Sequence, residues 1–232
     1  MSEAAAPAVE LTRLRFAYRP GQDVLAIEQL TIARRELVFL HGPSGSGKTT
    51  LLGLLAGVLR ASSGSVRVLG TDFTALASGA RDRFRARHLG YVFQMFNLIP
   101  YLSVRENILL PIRLEAVRRE RLRGQPYPDA VREVAAQLDI ARYLDRSVSE
   151  LSVGQQQRVA AARALIGSPE ILIADEPTSA LDTDRREQFL ELLFRSFERA
   201  GATLVFVSHD HTLRPLFSRI VELREINTAA GP

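Results

Sequence analysis

A chain of 232 residues is long enough to bury a substantial core as one large domain or two small ones. Its 46% hydrophobic and 24% charged content is ordinary for a globular protein, and a net charge of +4 is compatible with phosphate ligands, an anionic membrane surface or nucleic acid without selecting among them. The absence of cysteine excludes a disulfide framework, thiolate catalysis and cysteine metal sites, and no stretch approaches the ~18 uninterrupted apolar residues of a membrane span. Met1–Glu10 lacks a basic region followed by an apolar core, so it reads as a flexible leader over residues 1–8 in a reducing, cytosolic compartment.

Residues 9–32 read as short strands, with Tyr18 as a single aromatic at a strand end. Glu36–Leu40 is a short apolar run and a buried strand. It feeds Gly42-Pro43-Ser44-Gly45-Ser46-Gly47-Lys48-Thr49-Thr50 and then an apolar helix, Leu51–Leu59. Strand, glycine-rich loop and helix in that order make a phosphate-binding loop. Glycines let consecutive amides turn inward onto phosphate oxygens, Lys48 adds positive charge, and the Thr49 hydroxyl suits Mg²⁺. Residues 64–69 read as another strand.

Arginines crowd residues 81–87 and 113–123, where a solvated helix face is the simplest account and proximity to anionic lipid the functional one. Gly90–Gln94 reads as a strand ending in a polar residue, followed by Met95–Leu102, a loop-like run rich in large apolar groups. Residues 103–143 are helix-rich and open on a capping box, Ser103 with Glu106.

Leu151-Ser152-Val153-Gly154-Gln155-Gln156-Gln157-Arg158 is a helix start built to meet something. Ser152 and Gln155 have the capping-box spacing, and Gly154 removes bulk where a ligand can approach. Such a terminus favours an anion. The helix runs to about Ile166, stopped by Gly167. Ile171–Ala174 is a buried strand with Asp175 and Glu176 at its C-terminal end, where open α/β sheets bind ligands. Asp175 suits Mg²⁺ through a water, and Glu176 suits a general base for an attacking water. Pro177 disfavours helical geometry at Glu176 and is expected to keep it extended. Asp182 or Thr183 is placed to cap a helix to Arg199, and Thr203–Ser208 is a strand ending at His209. His41, His88 and His211 read as satisfied or solvent-facing side chains.

Together these motifs, in this order, resemble those of ATP-binding cassette (ABC) ATPases: the phosphate loop, a Walker B strand with its catalytic glutamate, and the signature motif at Ser152. The resemblance spans residues 9–225. It implies an α/β fold, a RecA-like P-loop NTPase core with an antiparallel β-subdomain and an inserted α-helical subdomain at about 95–150. One nucleotide-binding domain is expected over 9–226, with a tail from 227 to 232. It further implies that Tyr18 stacks on adenine, that Gln94 senses Mg²⁺ and the attacking water, and that His209 contacts the γ-phosphate. Asp182 would lie in the loop that packs on its copy in a partner. Two copies would pair head to tail, so that Gly42–Thr50 of one and Ser152, Gly154 and Gln155 of the other enclose each ATP. The usual signature has a second glycine where this chain has Val153, which alters fine geometry there.

Residues 90–100 with Glu106-Asn107-Ile108 resemble the macrolide-exporter and lipoprotein-releasing group, close to the cell-division ATPases of the FtsE type. That resemblance implies a peripheral subunit on the cytoplasmic side of the inner membrane, bound to a separate integral permease through residues 95–102 and served by a periplasmic adaptor. The alternative is a regulator that signals through a membrane partner to a cell-wall enzyme. Nucleic acid is not an expected partner, because no aromatic platform accompanies the basic stretches.

Overall fold

A computed structural model describes residues 6–179 and 183–229. In chain order the elements are β1 (Val9–Ala17), β2 (Asp23–Ile32), β3 (Leu37–His41), α1 (Lys48–Leu55), β4 (Ser63–Val68), β5 (Thr71–Asp72), α2 (Ser78–His88) and β6 (Leu89–Val92). There follow α3 (Val104–Leu114), α4 (Ala116–Glu120), α5 (Tyr127–Gln137), α6 (Val153–Leu165), β7 (Ile171–Asp175), α7 (Thr183–Ala200), β8 (Thr203–Val207), β9 (Arg219–Glu222) and α8 (Leu223–Ile226). They group into two compact units, residues 1–85 with 203–232, and residues 86–202.

The first unit holds an antiparallel sheet in the order β2-β1-β4-β5. Gly64 is obligatory there: its φ is +81°, and a Cβ would lie 2.1 Å from the Arg13 carbonyl oxygen. Ala8, inside the expected leader, is buried and donates its amide to the Ile32 carbonyl. The same unit holds three parallel strands, β3 lying between β8 and β9. Every residue of β8 is buried. Phe39, Phe206 and Phe217 cluster with ring centroids 4.9–6.3 Å apart. Asn227 and Thr228, inside the expected tail, bind the backbone of β2: the Asn227 side chain accepts from the Ala26 amide at 2.8 Å and donates to the Val24 carbonyl at 3.0 Å. The helix after the phosphate loop is shorter than the apolar run suggests. It closes at Leu55 because Gly57 turns left-handed (φ 68°), and Leu59 folds back over Gly53.

The second unit pairs β6 with β7 in parallel and packs α6 on β6, α3 and α7. Gly90 permits the close approach, since a Cβ there would stand 2.4 Å from the Ala164 carbonyl oxygen. α3 begins on the expected capping box, Ser103 accepting from the Glu106 amide and Glu106 from Ser103.

The arginine-rich stretches are not uniformly solvated faces, which corrects the expectation. Arg118 is only 2% exposed, and its guanidinium donates to the carbonyls of Ala86 (2.7 Å), Ile166 (2.9 Å) and Leu89. Arg81 is also buried and donates to Gly57 O and Leu76 O. Arg85 binds Ala56 O, and Arg121 binds the carbonyls of Arg87 and Ser168. Helix C-termini leave carbonyls without intrahelical partners, and a planar cation with five donors satisfies several at once. These side chains close chain turns; Arg83, Arg113 and Arg123 remain exposed.

Candidate functional site

The candidate residues fall into two groups, one in each unit. In the first, β3 delivers the chain into the loop 42–47, which enters α1 through Gly47 in a left-handed conformation (φ 96°). Gly45 is also left-handed (φ 77°), and a Cβ on Gly47 would meet Leu25 Cδ2 at 2.8 Å. Lys48 is buried, and its Nζ donates to the carbonyls of Gly42 (2.7 Å) and Pro43 (2.8 Å). The ammonium therefore braces the loop from beneath. Ser46 Oγ is buried without a protein partner. An unpaired buried hydroxyl within a glycine-rich loop is what a ligand acceptor would satisfy.

Tyr18 is 64% exposed, stands edge-on to Phe16 and places its hydroxyl 3.2 Å from Thr50 Oγ1. A cavity of about 870 Å³ connects it with Gly45 and Ser46 and is rimmed by Arg15, Arg19 and Arg224. An exposed aromatic face, a cationic rim and a phosphate loop on one cavity fit a nucleotide. His209 is exposed, two residues beyond β8. His41, at the mouth of the loop, donates from Nδ1 to the Glu222 carboxylate at 2.8 Å, and its ring lies tilted against that of His211 with centroids 3.9 Å apart.

In the second unit Asp175 ends β7, half-buried, and Tyr91 of neighbouring β6 hydrogen-bonds to its carboxylate. Burial foremost, then the Asp175 charge, pushes the Tyr91 phenol well above its ordinary pKa, so it stays a donor. Glu176 is not extended: its φ is 44°, a correction. The restriction before proline is met by a left-handed residue rather than an extended one, and the turn is secured by Ser179, whose amide and hydroxyl both donate to Glu176 O. Gln157 of α6 is fully buried and donates to the carbonyl of Pro177. Gln94 is exposed, two residues past β6. Asp182 lies outside the described residues.

The α6 terminus has the expected box. Ser152 Oγ accepts from the Gln155 amide (3.4 Å), and Gln155 Oε1 accepts from the Ser152 amide (2.9 Å). Ser152 and Val153 are exposed and Gly154 half-buried. In the run 95–102, Met95 and Tyr101 are 80% and 82% exposed, whereas Phe96 is only 8% exposed. Phe96 is therefore a packing residue, and the free apolar surface is Met95 and Tyr101.

Tyr91, Gln157 and Arg163 (below) were not singled out by motif. Gln157 shares a helix face with Ala161 and Ala164, and a polar residue within an apolar stripe is the signal that marks it. The first unit offers the Thr49 hydroxyl, and the second the Gln94 amide and the Asp175 carboxylate, each an oxygen donor of the type a hard cation such as Mg²⁺ takes. Among the described residues no three His, Cys, Asp or Glu side chains converge, so such an ion would depend on the nucleotide for its remaining ligands.

The loop, its buried lysine and the strand-end carboxylates define a phosphate-loop nucleoside triphosphatase. The family model described as "ABC transporter" matches residues 26–179. The chain is 40% identical over 225 residues to the lipoprotein-releasing system ATP-binding protein LolD of Anaeromyxobacter dehalogenans, covering 94% of this chain and 91% of that one. It is 38% identical over 204 residues to the bacitracin export ATP-binding protein BceA of Halalkalibacterium halodurans, covering 88% and 79%. Among solved structures, the dimeric post-hydrolysis state of the ATP-binding cassette MJ0796 bound to ADP and Pi superposes with a TM-score of 0.81 at 33% identity, covering 92% and 93%. The chain belongs to the ABC transporter ATP-binding family, binds ATP and is an ATPase. Among the described residues no helix is long and apolar enough to cross a membrane.

Proposed function

We propose that this protein is the motor subunit of a bacterial export or extraction system for an envelope substrate, a lipoprotein, lipid or small molecule. It works as a head-to-tail homodimer on the cytoplasmic side of the inner membrane, bound to a separate permease and, beyond it, a periplasmic adaptor. The amides of Gly42–Thr50 and the Lys48 ammonium hold the phosphates, and Tyr18 supports the base. Thr49, Gln94 and Asp175 hold Mg²⁺, which when bound supplies charge neutralisation on the phosphate oxygens. Glu176 takes the proton of the attacking water, oriented by Gln94, and His209 holds the γ-phosphate. Ser152, Gly154 and Gln155 of the second copy close the same nucleotide, and Asp182 packs at the junction. The names of LolD and BceA support the export or extraction reading.

The observation that carries the pairing is the α6 terminus: it is capped and exposed in the single chain, an anion site presented outward. The test is Glu176→Gln. With Mg²⁺ and ATP it should elute as a dimer and hydrolyse about 10²–10⁴-fold more slowly. Wild-type specific activity should rise with protein concentration. A variant that stays monomeric with ATP while turning over normally would remove both Glu176 and the pairing.

A further inference from the structure

Past Gln94 and Met95 the chain holds two consecutive non-glycine residues in left-handed backbone, Phe96 (φ 58°) and Asn97 (φ 46°). L side chains crowd the backbone there, and such conformations persist where surrounding contacts over-determine them. The local hydrogen bonds are short-range ones, Phe96 N to Phe93 O and Asn97 N to Met95 O. The outside clamp is Arg163, in the last turn of α6. Its Nη2 donates to Phe96 O at 2.6 Å and its Nη1 to Asn97 O at 2.7 Å. The guanidinium is half-buried, and that burial lowers its pKa. A rigid fork spans two adjacent carbonyls, which a lysine ammonium does not reproduce.

We infer that Arg163 is a positioning residue for ATP turnover: it fixes the turn that carries Gln94 on one side and the exposed run from Met95 to Tyr101 on the other. Its bonds are to the backbone of the turn. Phe96 has its side chain buried, so the turn is anchored on one face by packing and on the other by Arg163. The same helix begins at Ser152, about 15 Å away at 1.5 Å rise per residue. One rigid element thus joins the terminus offered to a second copy with the turn that aims Gln94. The inference rests on the reading that Gln94 orients the attacking water.

The experiment uses the full chain and Mg-ATP. Arg163→Lys should lower kcat about tenfold, the loss expected for one charge-assisted hydrogen bond of two, with ATP Kd unchanged to about twofold. Asn97→Gly in the same chain should restore most of kcat, because glycine takes positive φ without a clamp. Gln94→Ala combined with Arg163→Lys should be no slower than Gln94→Ala alone. Should Arg163→Lys melt prematurely, Asn97→Val attacks the same turn with Arg163 intact and should reproduce the kcat defect. An unchanged kcat in both Arg163→Lys and Asn97→Val overturns the inference, as does a defect that glycine does not rescue and that adds fully to Gln94→Ala. Glu176→Gln is run in parallel. If it is slow while Arg163→Lys is normal, only the Arg163 inference fails. If it turns over normally, the site reading beneath the inference fails.

Discussion

Arg118 offers the sharpest stability test, because the sequence run around it looked like surface and the structure buries it. Replacing it with methionine keeps the bulk of the stem and deletes the guanidinium. Three backbone carbonyls, of Ala86, Leu89 and Ile166, then lose a donor in a site only 2% exposed. Burial lowers the Arg118 pKa to about 10, which leaves it charged at neutral pH, so the bonds lost are charge-assisted. Bonds to charged groups contribute about 1.5–3 kcal/mol each, and relief of the buried guanidinium's desolvation offsets a large part of that loss, so the substitution costs about 3 kcal/mol. For a chain of this size about 2–4 °C of melting temperature goes with each kcal/mol, giving a drop of about 6–12 °C. Calorimetry on the full chain measures it. Arg118→Lys should recover less than half, since one compact ammonium does not reach both the α2–β6 junction, with Ala86 and Leu89, and Ile166. A melting temperature within about 2 °C of wild type for Arg118→Met would refute the view that these bonds hold the turns together.

Gly90→Ala should lower the urea midpoint by the equivalent of about 1–3 kcal/mol or more, because its Cβ would meet the rigid Ala164 carbonyl oxygen at 2.4 Å rather than a side chain free to move. Glu222 is held below the ordinary carboxylate pKa of 4.5, chiefly by its hydrogen bond with His41 and also by the charges of His41 and Arg214. A lowered carboxyl stabilises the fold fully above that ordinary value and loses the contribution as pH falls through the lowered one. Glu222→Gln should therefore flatten the acid limb of stability measured below about pH 4.5. Met95→Glu and Tyr101→Glu, at exposed positions, should leave the melting temperature unchanged and abolish permease-stimulated ATPase activity, whereas Phe96→Glu should fail earlier by unfolding. Equal stimulation of the first two variants would take the docking run off residues 95–102.

The elements whose signal is local were legible in the sequence. The phosphate loop announces itself because its conformation is set by its own glycines. Both capping boxes were readable because donor and acceptor lie three residues apart. β7 through Ala174 and β8 from Leu204 onward are buried and run continuously apolar. What escaped is what depends on distant chain. Arg118 reads as one more solvated cation until Ala86, Leu89 and Ile166, about 30 to 50 residues away, bring three carbonyls to it. Glu176 was expected to be extended because proline follows; the Ser179 turn selects the left-handed well instead. Phe96 looked like part of an apolar docking run, since no periodicity tells which member of such a run faces inward.

The capping box at Ser152 at first counts against an anion site, because it spends hydrogen-bonding groups that a ligand would want. The pairing shows which ones it spends. Gln155 Oε1 takes the Ser152 amide and Ser152 Oγ takes the Gln155 amide. The amides between them, of Val153 and Gly154, belong to the first turn, where no preceding carbonyl of the helix can reach them. The box thus fixes the two outer amides and leaves the two inner ones pointing along the axis, with the positive end of the helix dipole behind them. Val153 is 48% exposed, so its side chain is not packed into the chain's own core. The Ser152 and Gln155 side chains thus hold the helix start in shape, and in the proposed pair Ser152 and the open amides of Val153 and Gly154 face the nucleotide of the other copy.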